Sequence, residues 1–162
     1  MRQVATVAVL LCLFSATANG QNVAFGTSAT SIGGSGHVGW FLDVDLPAWR
    51  GLSLAMMGNT ASMTGTDRGY VGAGPRYRVG IGRVEVFGHA GLGLFIFDNL
   101  WMGGQREAVF RPAYGGGLDW PLTRPLGIRA SVTYGPRAHS KLSDIVSVTP
   151  TTTFHLGAVW RP

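Results

Sequence analysis

His37-Val38-Gly39-Trp40-Phe41-Leu42-Asp43-Val44-Asp45-Leu46 alternates strictly in character. Val38, Trp40, Leu42, Val44 and Leu46 form one apolar face. Gly39, Phe41, Asp43 and Asp45 form the other, which carries two carboxylates. A period of two belongs to a β-strand whose two faces meet different surroundings. Alone, the stretch fits a soluble sandwich with its charges in water as well as a barrel with its charges inside. Its recurrence along the chain behind an export signal selects the second arrangement, apolar face to lipid and polar face into a closed lumen.

That export signal occupies residues 1–20. Arg2 supplies the positive start, Val4 to Phe14 the apolar run, and Ala16-Thr17-Ala18 an A-x-A processing site, with cleavage after Ala18 or after Gly20. The run is shorter than the roughly 20 residues of a spanning helix. The expected organisation is a cleaved signal peptide over 1–20 and one barrel domain over 21–162. Cys12, the only cysteine, lies in the signal, and Leu11 before it is not the small residue a lipoprotein signal wants. The mature chain therefore has no thiol for a disulfide or a metal. No later segment is apolar enough for a transmembrane helix. The net charge of +5 raises the question of nucleic acid. The basic residues are almost all Arg, spread singly, with Lys141 the sole lysine. Neither a basic cluster nor a base-stacking motif is present, so no nucleic-acid partner is expected; an anionic lipid surface suits the charge better.

Eight alternating segments span approximately 22–30, 37–46, 51–60, 69–79, 83–96, 107–120, 126–135 and 151–161. Most reach the nine to eleven residues that a tilted strand needs to cross a bilayer. Pro47 to Arg50, Gly80 to Gly82 and Pro121 to Pro125 read as tight turns. Ser31 to Gly36, Ala61 to Arg68, Phe97 to Arg106 and Pro136 to Pro150 read as longer loops. Short turns on one side and longer loops on the other predict both termini in the periplasm.

The parity of the segments sorts the side chains. Leu52, Leu54, Met56, Val71, Val79, Val84, Val86, Leu92, Leu94, Ile96, Leu126, Ile128, Val132 and Leu156 fall outward. Asp43, Asp45, Arg76, Arg78, Arg83, Glu85, His89, Arg111, Asp119, Arg129 and His155 fall inward, with Arg161, as a lumen charge network. An outward Arg or Lys would cost roughly 2–4 kcal/mol at a bilayer midplane. Trp49, Tyr77, Trp120 and Trp160 map to the turn end, and Trp40, Phe110, Tyr134 and Phe154 to the loop end. Two aromatic girdles of this kind anchor a barrel at the headgroups.

Gly74-Pro75-Arg76-Tyr77-Arg78, Val86-Phe87-Gly88-His89-Ala90-Gly91-Leu92-Gly93, Gly115-Gly116-Gly117-Leu118-Asp119-Trp120, Arg129 and His155-Leu156-Gly157-Ala158-Val159-Trp160 resemble the small outer-membrane β-barrel family of the OmpA transmembrane domain and OmpX. The resemblance covers about residues 22–162. It implies an all-β fold, an eight-stranded antiparallel up-and-down transmembrane β-barrel, located in the cell outer membrane. It also implies outer-membrane lipid and the barrel-assembly machinery as partners. The family usually ends on an aromatic; here Arg161 and Pro162 follow Trp160.

The inward charges carry two readings. An eight-stranded barrel is just wide enough to be filled by side chains, and its buried charges must be paired, which predicts a structural salt-bridge plug. The excess of inward Arg predicts instead a narrow, anion-preferring passive pore. Inward Gly72, Gly74, Gly91, Gly93, Gly115 and Gly117 are read as room for the long side chains and relief of curvature. A phosphate cradle would need a strand-turn-helix context that is missing. His139-Ser140, with Asp144 near, offers the residue types of a lipid A-modifying hydrolase, but neighbours on a strand point to opposite faces. His89 and His155 lack a third ligand for zinc. No catalytic, cofactor or metal site is therefore expected, and no cofactor. Phe97 to Met102 and Ile145-Val146 are candidate contacts for a loop-mediated surface partner. The function expected is structural, surface-contact or narrow passive-pore. The alternatives are the hydrolase and a soluble periplasmic β-barrel binding an apolar ligand, with arginines outward.

Overall fold

A computed structural model describes residues 21–63, 66–99, 105–139 and 147–162; the leader expected over 1–20 lies outside them. The strands are β1 (Asn22–Ile32), β2 (Ser35–Trp49), β3 (Leu52–Met63), β4 (Thr66–Ile81), β5 (Val84–Asn99), β6 (Gln105–Pro121), β7 (Leu126–Gly135), β8 (Ala138–His139), β9 (Ser147–Val148) and β10 (Thr151–Trp160). Eight of them close a barrel in the order β1-β10-β7-β6-β5-β4-β3-β2, every neighbouring pair antiparallel. The first and last strands complete it, Val23 opposite Trp160 and Ile32 opposite Thr151. β8 and β9 pair with each other outside the barrel.

The strands run further toward the loop end than the polarity pattern does. Ser31 to Gly36, expected as a loop, is a two-residue turn: Ile32 pairs with Ser35 across Gly33 and Gly34, at φ +57° and +88°. Positive φ at both turn positions is what a type I′ hairpin requires. Met63 pairs with Thr66, so the loop expected over Ala61 to Arg68 shrinks to two residues. β5 and β6 stay paired as far as Asn99 and Gln105. The contrast of short and long connections therefore rests on the β7–β10 connection alone, into which the β8–β9 ribbon is built. Backbone pairing continues through Gly, Ser and Thr because the ladder needs N–H and C=O groups, not side-chain polarity.

The turn end follows expectation more closely. Arg50 and Gly51, at φ +40° and +84°, join β2 to β3. Pro47, which has no N–H to give a ladder, sits where the β2–β3 register shifts between Pro47 and Trp49. Arg83 is a correction: it lies exposed in the β4–β5 turn rather than in the lumen, because the ladder ends at Ile81 opposite Val84.

Side chains face the reverse of a soluble barrel. Phe25 is 66% exposed and Val71 62%, whereas Arg76 is 1% and Arg129 0%. No charged residue lies on the outer strand faces among the described side chains. This overturns the apolar-ligand reading, which needs the arginines outside. Val23 and Val44 are outward yet buried, packed among Leu42, Leu46 and Trp160 across the closing seam.

The inward glycines serve chain approach more than side-chain room. A Cβ on Gly74 would lie 2.1 Å from the Ala90 carbonyl oxygen, and one on Gly91 would lie 2.7 Å from that of Ala73. The regular pairing of β4 with β5 is interrupted there, between Ala73 opposite Leu92 and Arg76 opposite His89. Strong coiling of this kind closes a small barrel, and Gly is the residue that permits it.

Candidate functional site

The turn-end half of the lumen is a lattice of ion pairs. Alternation in β2 turns Asp43 and Asp45 inward, and β4 turns Arg76 and Arg78 toward them across β3. Arg76 Nη2 donates to Asp43 Oδ2 at 2.8 Å and its Nη1 to Asp45 Oδ1 at 2.6 Å. Arg129, from β7, donates through Nε to Asp119 Oδ1 and through Nη2 to Asp119 Oδ2, both at 2.7 Å, a bidentate pair. Its Nη1 reaches Asp43 Oδ2 at 2.7 Å, which ties β7 to β2 through the lumen. Arg78 pairs with Asp45, with Asp119 at 3.1 Å and with Glu85 at 3.4 Å. Arg161 stands 3.1 Å from both Glu85 and Asp119. Asp43, Asp45, Glu85 and Asp119 thus balance Arg76, Arg78, Arg129 and Arg161 in formal charge.

Phe87 floors this lattice. The guanidinium carbons of Arg76, Arg129 and Arg78 lie 4.5, 4.9 and 5.6 Å from its ring centroid. Cation–π contact of this order adds to the pairing where water is excluded. Reading only charged inward residues overlooked Phe87, although it stands between Glu85 and His89 on the same parity. Tyr70 and Phe95, also inward and buried, were overlooked in the same way.

Toward the loop end the lumen becomes poor in carboxylates and rich in hydroxyls among the described residues. A hydrogen bond of 3.2 Å links His89 Nε2 with Thr133 Oγ1, and His155 meets Phe41 edge-on at 4.8 Å between ring centroids. The hydroxyls of Thr30 and Thr153 are 3.1 Å apart. Arg111 is buried here, Nη2 donating to the Thr151 hydroxyl. Two cavities of about 20 Å³ each open in this half, one lined by Asp43, Arg76, His89 and His155, the other by Arg68, Tyr70, Arg111 and Thr151. Each has room for about one water.

On the outside, Trp49, Tyr77 and Trp120 are exposed near the turn end. Trp160 ends β10 half-buried in the seam. Phe154 and Tyr134 stand near the loop end, with Trp40 and Phe110 five residues into their strands. Tyr114, overlooked in the sequence, pairs in register with Tyr134, their ring centroids 5.4 Å apart. Of the hydrolase candidates, His139 lies in β8, and Ser140 and Asp144 lie outside the described residues. Trp101, Met102, Ile145 and Val146 also lie outside them.

The fold defined by these elements, a closed eight-stranded antiparallel barrel with a charged lumen and an apolar wall, is that of small outer-membrane barrels. The N-terminal β-barrel domain of Pseudomonas aeruginosa OprF superposes with a TM-score of 0.66 at 13% identity, covering 89% of this chain and 98% of that one. The outer membrane protein OprG of the same organism gives 0.61 at 10% identity, covering 89% and 96%. Yersinia pestis Ail in a phospholipid bilayer nanodisc gives 0.54 at 20% identity, covering 89% and 99%. No protein-family model matches the chain, and no curated protein matches its sequence.

Proposed function

We propose that this chain is a bacterial outer-membrane β-barrel with a structural and surface-contact role, closed to free passage. The observation that carries this reading is the inversion of faces. A continuous apolar wall, free of charge among the described side chains, surrounds a lumen that holds nearly all the buried ions. Only a hydrocarbon solvent makes that arrangement favourable, since exposed apolar area on this scale would drive association in water. The exposed rings near the strand ends suit the two headgroup layers.

Closure of the lumen favours the structural role over the pore. Arg129 spans from Asp119 to Asp43 and Asp45 in the turn-end half, and Arg76 and Arg78 fill the remaining width. An ion crossing this lattice would have to break several charge-assisted bonds at once. The hydroxyl–imidazole contact of Thr133 with His89 is buried inside the filled lumen, away from lipid, and the role is non-enzymatic in this reading. Surface contact falls to the loop end, where the β8–β9 ribbon projects. The barrel-assembly machinery would insert the chain from the periplasm after removal of the leader.

Expression of the full chain in a Gram-negative host tests the proposal. The expected result is a band in the outer-membrane fraction that migrates differently on SDS gels with and without boiling. Planar-bilayer recordings of the purified protein are expected to show no steady conductance. A soluble periplasmic band without a heat shift would overturn the membrane reading; sustained anion-selective current would overturn the closed lumen.

A further inference from the structure

The loop-end chamber contains a buried cation for which the described residues supply no counter-charge. Arg111 is 3% exposed. Phe95 covers its guanidinium at 4.1 Å, and Gly135 lies so close that a Cβ there would stand 2.7 Å from Cζ. Nη2 donates to Thr151, but Nε and Nη1 are buried without an acceptor among the described residues. Arg68 lines the same cavity, its Nε also buried without an acceptor, as is the hydroxyl of Tyr70. The other polar groups around this cavity are hydroxyls and the Asn59 amide, and no carboxylate lines it among the described residues. Burying guanidinium groups without counter-charge is strongly unfavourable.

We infer that this chamber binds one monatomic anion of halide size, seated against Nε and Nη1 of Arg111. Arg68 supplies the second positive charge and the Tyr70 hydroxyl a further donor. Size sets the class of ligand. A cavity of about 20 Å³ suits one water-sized body better than a tetrahedral oxyanion with its four oxygens. The inference needs the barrel and not its location, so it stands apart from the membrane reading. Its rival within the chain is Glu107, which is in register with Phe97, itself in register with Arg68.

The test is diffraction from the protein, expressed from the full chain and purified in detergent, crystallised from sodium bromide. An anomalous peak within hydrogen-bond distance of Arg111 Nε or Nη1 is expected. Water alone at that position, or the Glu107 carboxylate in its place, overturns the inference. In solution, chloride NMR linewidth gives a second reading. Excess broadening by the wild type should be largely lost in Arg111→Met and retained in Arg83→Gln, which removes an exposed arginine. Should Arg111→Met fail to fold, Tyr70→Phe removes one donor and should weaken the broadening. Broadening equal to wild type in the folded variants overturns the site.

Discussion

The two halves of the lumen solve the same problem differently. At the turn end every guanidinium meets carboxylates, and Arg129 alone touches Asp43, Asp45 and Asp119. At the loop end Arg111 is as deeply buried and meets a hydroxyl and a ring. Burial of charge is therefore not what distinguishes the halves; pairing is. A paired lattice resists the loss of any member, because each carboxylate serves more than one arginine. An arginine without a carboxylate among the described residues is a liability, which a bound anion would offset in the reading proposed above.

The largest effect should come from breaking the paired half. Asp119→Ala would leave Arg129, Arg78 and Arg161 short of a partner and is expected to cost about 3–5 kcal/mol in urea unfolding of the micelle-bound barrel. The double change Asp119→Leu with Arg129→Met should recover much of that loss, since replacing both members with apolar groups removes the orphaned charge. If the double variant is as unstable as the single, pairing is not what the lattice contributes.

A smaller loss is expected at the coiled corner of the wall. Gly74→Ala drives a Cβ toward the Ala90 carbonyl and should cost about 1–3 kcal/mol by the same measurement. Smaller again is the unpaired half. Arg111→Met should shift stability by less than about 1.5 kcal/mol, because the loss of contacts is offset by relief of a buried charge that no described carboxylate pairs. A loss as large as that of Asp119→Ala would erase the distinction between the halves. Least of all, Arg83→Ala, in an exposed turn, is expected to stay within about 0.5 kcal/mol of the wild type.

Much of this was legible in the chain because alternation is a local property. Asp43 and Asp45 show their facing through Leu42, Val44 and Leu46, with no knowledge of their partners. The pairing of Asp43 with Arg76 was not legible. It depends on two ladders, β2 on β3 and β3 on β4, whose registers set which level of the lumen each residue reaches. A turn position hid Arg83, whose parity suggested the lumen although the ladder ends at Ile81 opposite Val84 and leaves it in the turn. The strand ends were misplaced where Gly, Ser and Thr dilute the pattern, at Ser31 to Gly36 most of all. The inward glycines were located correctly and explained incompletely, because the approach of Gly74 to Ala90 is a tertiary contact with no local sign. Arg111 shows the sharpest gap between the two levels, since its inward facing could be read from parity and the lack of a carboxylate beside it among the described residues could not.

The seam has a consequence for the order of folding. Val23 lies opposite both Val44 and Trp160, and the second of these contacts joins the first strand to the last. Seven of the eight ladders of the barrel join strands that are neighbours along the chain, apart from the β8–β9 ribbon set between β7 and β10. The eighth cannot form until β10 exists. Until then β1 and the growing C-terminal strand each present a row of unpaired N–H and C=O groups, the template on which another chain can add. Trp160, the last residue of β10, therefore acts as the last tooth of a zipper. The interval before it engages is when this barrel most needs a chaperoned edge.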